Sequence, residues 1–207
     1  AVIDAVRQGR LSLDSPQDGS SLQLVLRHLE AGPEVRRETI AQLADRIAVT
    51  GEVIVRALEE GHKVLAFGNG GSAATAQHLA GELAGRYKAE RRPLPGIALT
   101  ADSSLVTCIG NDYGFEAVFA RQVQALAGPG DVVIGFTTSG RSANVLAGLD
   151  AAKETGALTV ALTGQSGLVG MEADHVLNVP SAVTARIQEE HDAIIHTWCE
   201  IVDLAFV

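Results

Sequence analysis

Residues 64 to 86 read VLAFGNGGSAATAQHLAGELAGR. The apolar run from Val64 to Phe67 predicts a short buried strand. It breaks into Gly68-Asn69-Gly70-Gly71-Ser72 and resumes as an Ala-rich helix. A strand that feeds a glycine turn and then a helix leaves free N–H groups at the positive helix end. That is an anion site, and phosphate is its usual guest. The glycines let the backbone approach a ligand, and Ser72 adds a hydroxyl at the helix start. On the same helix His78 and Glu82 lie one turn apart on one face. One element thus offers an anion cradle together with acid–base or metal-binding groups.

Outward from this stretch, strands alternate with helices. Further strands are expected at 96–100, 131–136, 157–162 and 175–179. Helices are expected at 102–109 and 115–126, from the polar turn at 137–142 to Thr155, briefly after the loop at 163–167, and at 184–206. Gly110-Asn111-Asp112-Tyr113-Gly114 reads as a turn. The alternation predicts an α/β fold: a doubly wound, flavodoxin-like, five-stranded parallel sheet with ligands beyond the carboxyl ends of its strands. Upstream, residues 21–31 have helical spacing and Gly32-Pro33 is expected to break the chain. Pro33 then opens a long helix to Glu60, stopped by Gly61. Its apolar face calls for cover, by a homo-oligomer interface or by its own sheet. Residues 1–20 read as an unassigned extension, a short helix at most and then a linker; residues 21–207 read as one domain with N-terminal helices.

The central motif has an echo. Residues 132–145, VVIGFTTSGRSANV, repeat the scheme of apolar strand, small polar turn and Ser-Ala helix start. Thr137, Thr138, Ser139 and Ser142 bring four hydroxyls to that turn. With free N–H groups they suit a sugar phosphate without a lysine. Neither turn is a Walker loop or a dinucleotide fingerprint.

Bulk properties exclude several classes. Of 207 residues 46% are hydrophobic and 20% charged, which supports a full core rather than disorder. A formal charge of −9 argues against a nucleic-acid partner, and 4% aromatic residues leave few stacking platforms. No apolar run approaches the roughly 18 residues of a membrane span, and no leader is visible, so a cytoplasmic protein is expected. Cys108 and Cys199 read as buried free thiols of a reducing compartment.

Singly, the candidate groups have plain readings. A pair such as His78 and Glu82 is more often a surface pair. Gln188 and His196, eight residues apart on the last helix, are weaker still. His191 and His62 read as a solvated helix face and a turn, and His28 and His175 suggest no role. Asn111 and Asp112 would hold their turn. Arg86 is a surface cation or faces an anion. Their co-occurrence with two phosphate turns in one α/β chain raises the functional reading.

The segments GNGGSAATAQHLAGELAGRY, IGNDYGFEAVFARQV, TTSGRSANV, ALTG and TARIQEEHDAIIH resemble the sedoheptulose 7-phosphate isomerases, or phosphoheptose isomerases, of the sugar isomerase (SIS) superfamily. The likeness runs over about residues 33 to 206. It implies strand order 2-1-3-4-5, a homotetramer with sites between subunits, and the isomerisation of sedoheptulose 7-phosphate to D-glycero-D-manno-heptose 7-phosphate. It implies Glu82 as the base that takes the C1 proton to give a cis-enediol, and His196 as the acid at the oxygens and the adjacent carbon. His78, Glu82, Gln188 and His196 resemble the family's zinc site, one zinc per subunit. Ser72, Thr137, Thr138, Ser139 and Ser142 would hold the phosphate. Asn69, Gly70, Gly71, Asn111 and Asp112 would contact the sugar, and Arg86 would support Glu82 or the ligand. Arg141 stands where a small polar residue is frequent, at the cradle rim. Two rival readings are a different SIS sugar-phosphate isomerase and a non-catalytic regulator that binds the replication initiator. The regulator lacks the glutamate and the final histidine that are present here.

Overall fold

The computed structural model describes residues 20–207, so the expected short helix and linker at the N-terminus lie outside the described residues up to 19. The chain divides into two compact units, residues 1–34 and 35–207. In the first, the described chain enters helix α1 (Ser21–Glu59), which continues into the second. Gly32-Pro33 therefore does not end a helix: Pro33 lies inside α1. A proline there forfeits one backbone hydrogen bond, and the good helix formers Leu29, Glu30, Ala31, Glu34 and Arg36 carry the helix past it. The signal reappears as the division between units, directly after Glu34.

The second unit holds a five-stranded sheet in the order β2-β1-β3-β4-β5. Its strands are β1 (Val64–Gly68), β2 (Gly96–Ala98), β3 (Val132–Thr137), β4 (Leu158–Thr163) and β5 (His175–Asn178). Every neighbouring pair is parallel. The helices are α2 (Gly71–Ala84), α3 (Ser103–Tyr113), α4 (Ala120–Leu126), α5 (Ala143–Glu154) and α6 (Thr184–Phe206), with a 3₁₀ turn at Phe115–Ala117. Strand side chains alternate between two cores. Val64, Ala66, Val132, Ile134, Phe136, Val160 and Leu162 meet α1, α2 and α6, with fully buried Trp198 among them. Leu65, Phe67, Val133 and Ala161 meet α3, α4 and α5, where Phe67 stacks on Phe119 at 4.8 Å between centroids. This two-sided cover is why the strands read as continuous apolar runs. Trp198 keeps its indole N–H satisfied by the Ile47 carbonyl, at 3.0 Å.

Three local expectations change. The segment 110–113 is not a turn but the last turn of α3, which ends at Gly114 with φ +91. Only at Gly114 does the backbone turn left-handed, so the Asn-Asp signal falls one helical turn early. The helix expected over 115–126 is split into the 3₁₀ turn and α4, joined through Val118 and Phe119, which keep helical angles and are buried in the second core. No helix follows 163–167, since Gly167 and Gly170 hold positive φ there. Of the two free thiols, Cys199 is buried and Cys108 is exposed. Among the described residues no helix is long and apolar enough to cross a membrane.

His191 is not on a solvated face; it is fully buried on α6. Its Nε2 lies 3.3 Å from the Thr163 carbonyl, at the carboxyl end of β4. Burial lowers its pKa from 6.5 to about 4, against the pull of Thr163 and Asp192. The folded value is below the unfolded one, so the unfolded chain takes up the proton first on acidification. The stabilisation is complete above pH 6.5 and is lost as pH falls through about 4, a change of about 3 kcal/mol. Urea denaturation between pH 7 and 4.5 should show a falling midpoint, and H191Q should flatten that fall.

Candidate active site

The sheet order makes β1 and β3 neighbours, with Gly68 beside Phe136. Their following turns therefore lie side by side at the carboxyl end of the sheet, as the echo predicts. Asn69 and Asn144 tie them together by two reciprocal amide hydrogen bonds of 2.8 Å. Asn144 sits in the first turn of α5 and is buried. Sequence reasoning missed it, although an Asn two places after Ser142, where the first motif has Ala74, was the available signal.

The polar groups of the turns are arranged as a cradle. Ser72 is buried at the start of α2. Thr137 and Ser142 hydroxyls lie 3.0 Å apart, and the Arg141 N–H donates to the exposed Ser139 hydroxyl at 3.2 Å. Gly140 has φ +68, and a Cβ there would lie 1.7 Å from the Gly167 carbonyl oxygen, so only glycine lets this turn rest on the next loop. Between them opens a cleft of about 300 Å³ lined by Thr138, Ser139, Arg141, Gln165, Ser166 and Ser181, among others. Gln165, Ser166 and Ser181 were not foreseen, because they occupy ordinary loops without a pattern.

The titratable groups converge where α2 packs on α6. Gly71 faces Gln188 so closely that a Cβ on the glycine would lie 2.5 Å from the Gln188 amide nitrogen. One turn on, the buried Thr75 hydroxyl donates to Asp192 at 2.7 Å. A further turn on, His196 Nε2 lies 3.4 Å from His78 Nε2, with the rings edge to face at 4.8 Å. His78 Nε2 also lies 3.1 Å from Glu82 Oε1. The His78 side chain is 41% exposed and that of Glu82 22%, so both are open to a ligand. On its other side the His196 ring stacks on Tyr87 at 5.4 Å and 24°. Thr75, Asp192 and Tyr87 were also unforeseen.

Other expected residues lie elsewhere in the single chain. Arg86 is exposed and nearest in charge to Glu90, at 3.8 Å. Asn111 and Asp112 bond each other at 2.7 Å on the exposed last turn of α3. Helix α3 begins at the carboxyl end of β2, so that turn is about 13 Å of helix axis away from it.

Two imidazoles and a carboxylate are suitable zinc donors. Donor atoms about 2.0–2.1 Å from one tetrahedral ion stand roughly 3.3 Å apart, close to the His78–Glu82 and His78–His196 spacings. These groups nevertheless face one another, and among the described residues no three His, Cys, Asp or Glu side chains surround a common metal position. Gln188 is two turns from His196, about 12 Å along α6. The expected four-ligand set is therefore not assembled within one chain.

The parallel sheet thus carries two neighbouring hydroxyl-rich turns at its carboxyl end, and α2 and α6 bring Glu82, His78 and His196 together. The SIS domain family matches residues 28–164. A phosphoheptose isomerase of Aquifex aeolicus is 51% identical over 183 residues, covering 88% of this chain and 96% of that protein. Phosphoheptose isomerase 1 of Campylobacter jejuni is 55% identical over 165 residues, 79% of this chain and 89% of that protein. The structure of a phosphoheptose isomerase from Francisella tularensis superposes with TM-score 0.86 at 40% identity, covering 89% and 99% of the two chains. The chain belongs to the phosphoheptose isomerase family of SIS-domain enzymes.

The Asn69–Asn144 pair gives a stability test. N69A leaves the buried Asn144 amide unpaired and should cost about 1–3 kcal/mol in urea unfolding, with the cradle loosened. An unchanged midpoint would mean that the pair does not join the two turns.

Proposed function

We propose that the chain isomerises sedoheptulose 7-phosphate to D-glycero-D-manno-heptose 7-phosphate through a cis-enediol, as an early step of activated-heptose synthesis. The observation that carries this reading is the cluster of Glu82, His78 and His196 at 3.1 and 3.4 Å. An aldose–ketose exchange needs one group to take a carbon-bound proton and another to keep charge from building on the oxygens. Glu82 takes the proton from C1. His196 exchanges protons with the two oxygens and the adjacent carbon. The cradle hydroxyls and the N-termini of α2 and α5 hold the phosphate. A regulator of the replication initiator would need neither acid nor base.

One distance bears on assembly. Glu82 lies eleven residues beyond Gly71 on α2, about 16 Å of helix axis. The extended substrate spans about 10 Å from C1 to phosphorus, at roughly 1.2 Å per bond. A cradle and a Glu82 acting on one molecule therefore come from different copies, which supports the proposed homotetramer with shared sites. In that arrangement Gln188 travels with the cradle and meets His78, Glu82 and His196 of a neighbouring copy, giving the proposed zinc site. Zinc there would polarise the sugar oxygens. A cytoplasmic location is part of the same proposal.

The decisive assay is incubation with sedoheptulose 7-phosphate in deuterated water. Heptose 7-phosphate carrying solvent deuterium is expected; exchange without that product would point to a related sugar phosphate. E82Q and H196Q should lose at least about a hundredfold in kcat with unchanged unfolding midpoints. Near-normal turnover in either would remove its role. Co-expression of E82Q with S139A/S142A should restore turnover that neither homo-oligomer has, as a shared site requires. Chelation should remove metal and H78A should lower bound zinc by elemental analysis; full zinc in H78A would refute the ligand set.

A further inference from the structure

Arg91 and Asp203 form an ion pair at 2.9 Å with the Arg91 side chain fully shielded and that of Asp203 7% exposed. Nothing in the reaction above uses them. A buried pair is tolerated when its remaining donors and acceptors are also satisfied. Arg91 Nη2 donates to the Glu82 carbonyl at 2.8 Å, and Nη1 donates to the Leu83 carbonyl at 2.9 Å. These are carbonyls of the last turn of α2, which have no partner within the helix. Asp203 Oδ2 accepts the N–H groups of Lys88 and Ala89, each at 2.8 Å. The pair thus clamps the end of α2, the strap 85–91 and helix α6 at one point. Asp203 is two turns beyond His196 on the same face of α6. Tyr87, next to the clamped Lys88, is the residue stacked on His196.

We propose that Arg91, Asp203 and Tyr87 are positioning residues for the acid–base pair: the clamp fixes the backbone of Glu82 and lays the Tyr87 ring against His196. The kinetic consequence rests on the isomerase reading; the geometric one does not. Without the clamp the Glu82 carbonyl loses its Arg91 donor, and the last turn of α2 is held only by the backbone bonds from Leu94 to Leu83 and from Gly85 to Gly81, which loosens it. Without the strap, the His196 ring loses the aromatic face of Tyr87 and keeps its edge contact with His78. Both reacting groups then sample orientations away from the substrate, which lowers kcat more than it weakens binding.

The test compares the full-length chain with D203N, Y87L, Y87F and D203N/Y87L, well below their unfolding temperatures. Two readouts are taken: kcat and KM on sedoheptulose 7-phosphate, and the ring C–H NMR signals of His196, assigned with H196Q. Expected are kcat losses of roughly 10–100-fold in D203N and Y87L with KM within about twofold. Y87F should restore most of what Y87L loses. The double variant should lose less than the product of the single losses, since both act through one contact. The His196 signals should move in both single variants. A clamp that only stabilises the fold would lower the unfolding temperature and leave kcat and those signals unchanged, and that result overturns the proposal. A loss confined to KM, or fully multiplicative losses, would also overturn it. Should D203N not fold, Y87L against Y87F decides. If the unaltered chain does not turn over this sugar, the isomerase reading fails, and unmoved His196 signals in Y87L would still overturn the clamp.

Discussion

The packing of α2 on α6 is the contact on which the site depends. Its rungs run in register: Gly71 against Gln188, Thr75 bonded to Asp192, His78 against His196. The outer rungs carry residues of the proposed site, and the middle one is a hydrogen bond between the two helices. A half-buried aspartate in reach of a buried threonine hydroxyl resists sliding, because a shift along the helix would break their 2.7 Å hydrogen bond. The apolar neighbours Leu79, Leu83, Ile195 and Cys199 supply most of the attraction but little of the register. Helical periodicity does the rest. Once Thr75 and Asp192 are paired, residues three or four further along each helix must also meet.

The cradle depends on a different constraint, the order of strands. Because β1 and β3 are adjacent while β2 lies outside, the chain reverses its winding between them. Loops diverge at such a switch point and leave a crevice at the carboxyl ends. The Asn69–Asn144 pair bridges that crevice and fixes the spacing of the two helix N-termini. In the proposed function, phosphate recognition would then be left to hydroxyls and backbone N–H groups. Arg141 is the one cation among the residues lining the cleft, which suits a chain of net charge −9. In that reading local geometry, not overall field, would draw the dianion in.

The legible parts of the fold were those with strong periodicity. The central strands β1, β3 and β4 could be read because both of their faces are buried, so each is a short apolar run closed by glycine or a polar turn. Helix α6 could be read end to end because no turn residue interrupts it. The Asn111-Asp112 segment misled because Asn and Asp weigh against a helix only by up to about 0.7 kcal/mol each, while Gly32-Pro33 misled because the 39-residue α1 absorbs even the roughly 3 kcal/mol of an interior proline. The site was legible where residue types are chemically distinctive, as with His78, Glu82 and His196. Asn144, Asp192, Tyr87, Arg91 and Asp203 were not, because their roles come from partners far away in sequence. His191 misled because a histidine among charged neighbours looks solvated, although its face of α6 is turned to the sheet beneath Thr163.

Exposure sets a last condition on the chemistry. Glu82 and His78 stay open to solvent in the single chain, and an enediol formed there would meet water directly. Water weakens every hydrogen bond to a developing oxyanion and lets a phosphorylated enediol decompose. Cover over α2 is therefore a requirement of the proposed reaction. The chain's own cradle does not provide it, being about 16 Å of helix axis away. A second copy laid across this face would bring a cradle within reach of Glu82 and close the pocket in the same act. Substrate alignment and water exclusion would then follow from one interface. Selection on that interface would act on the proposed catalysis directly, and would account for the exposure of His78 and Glu82 in the single chain.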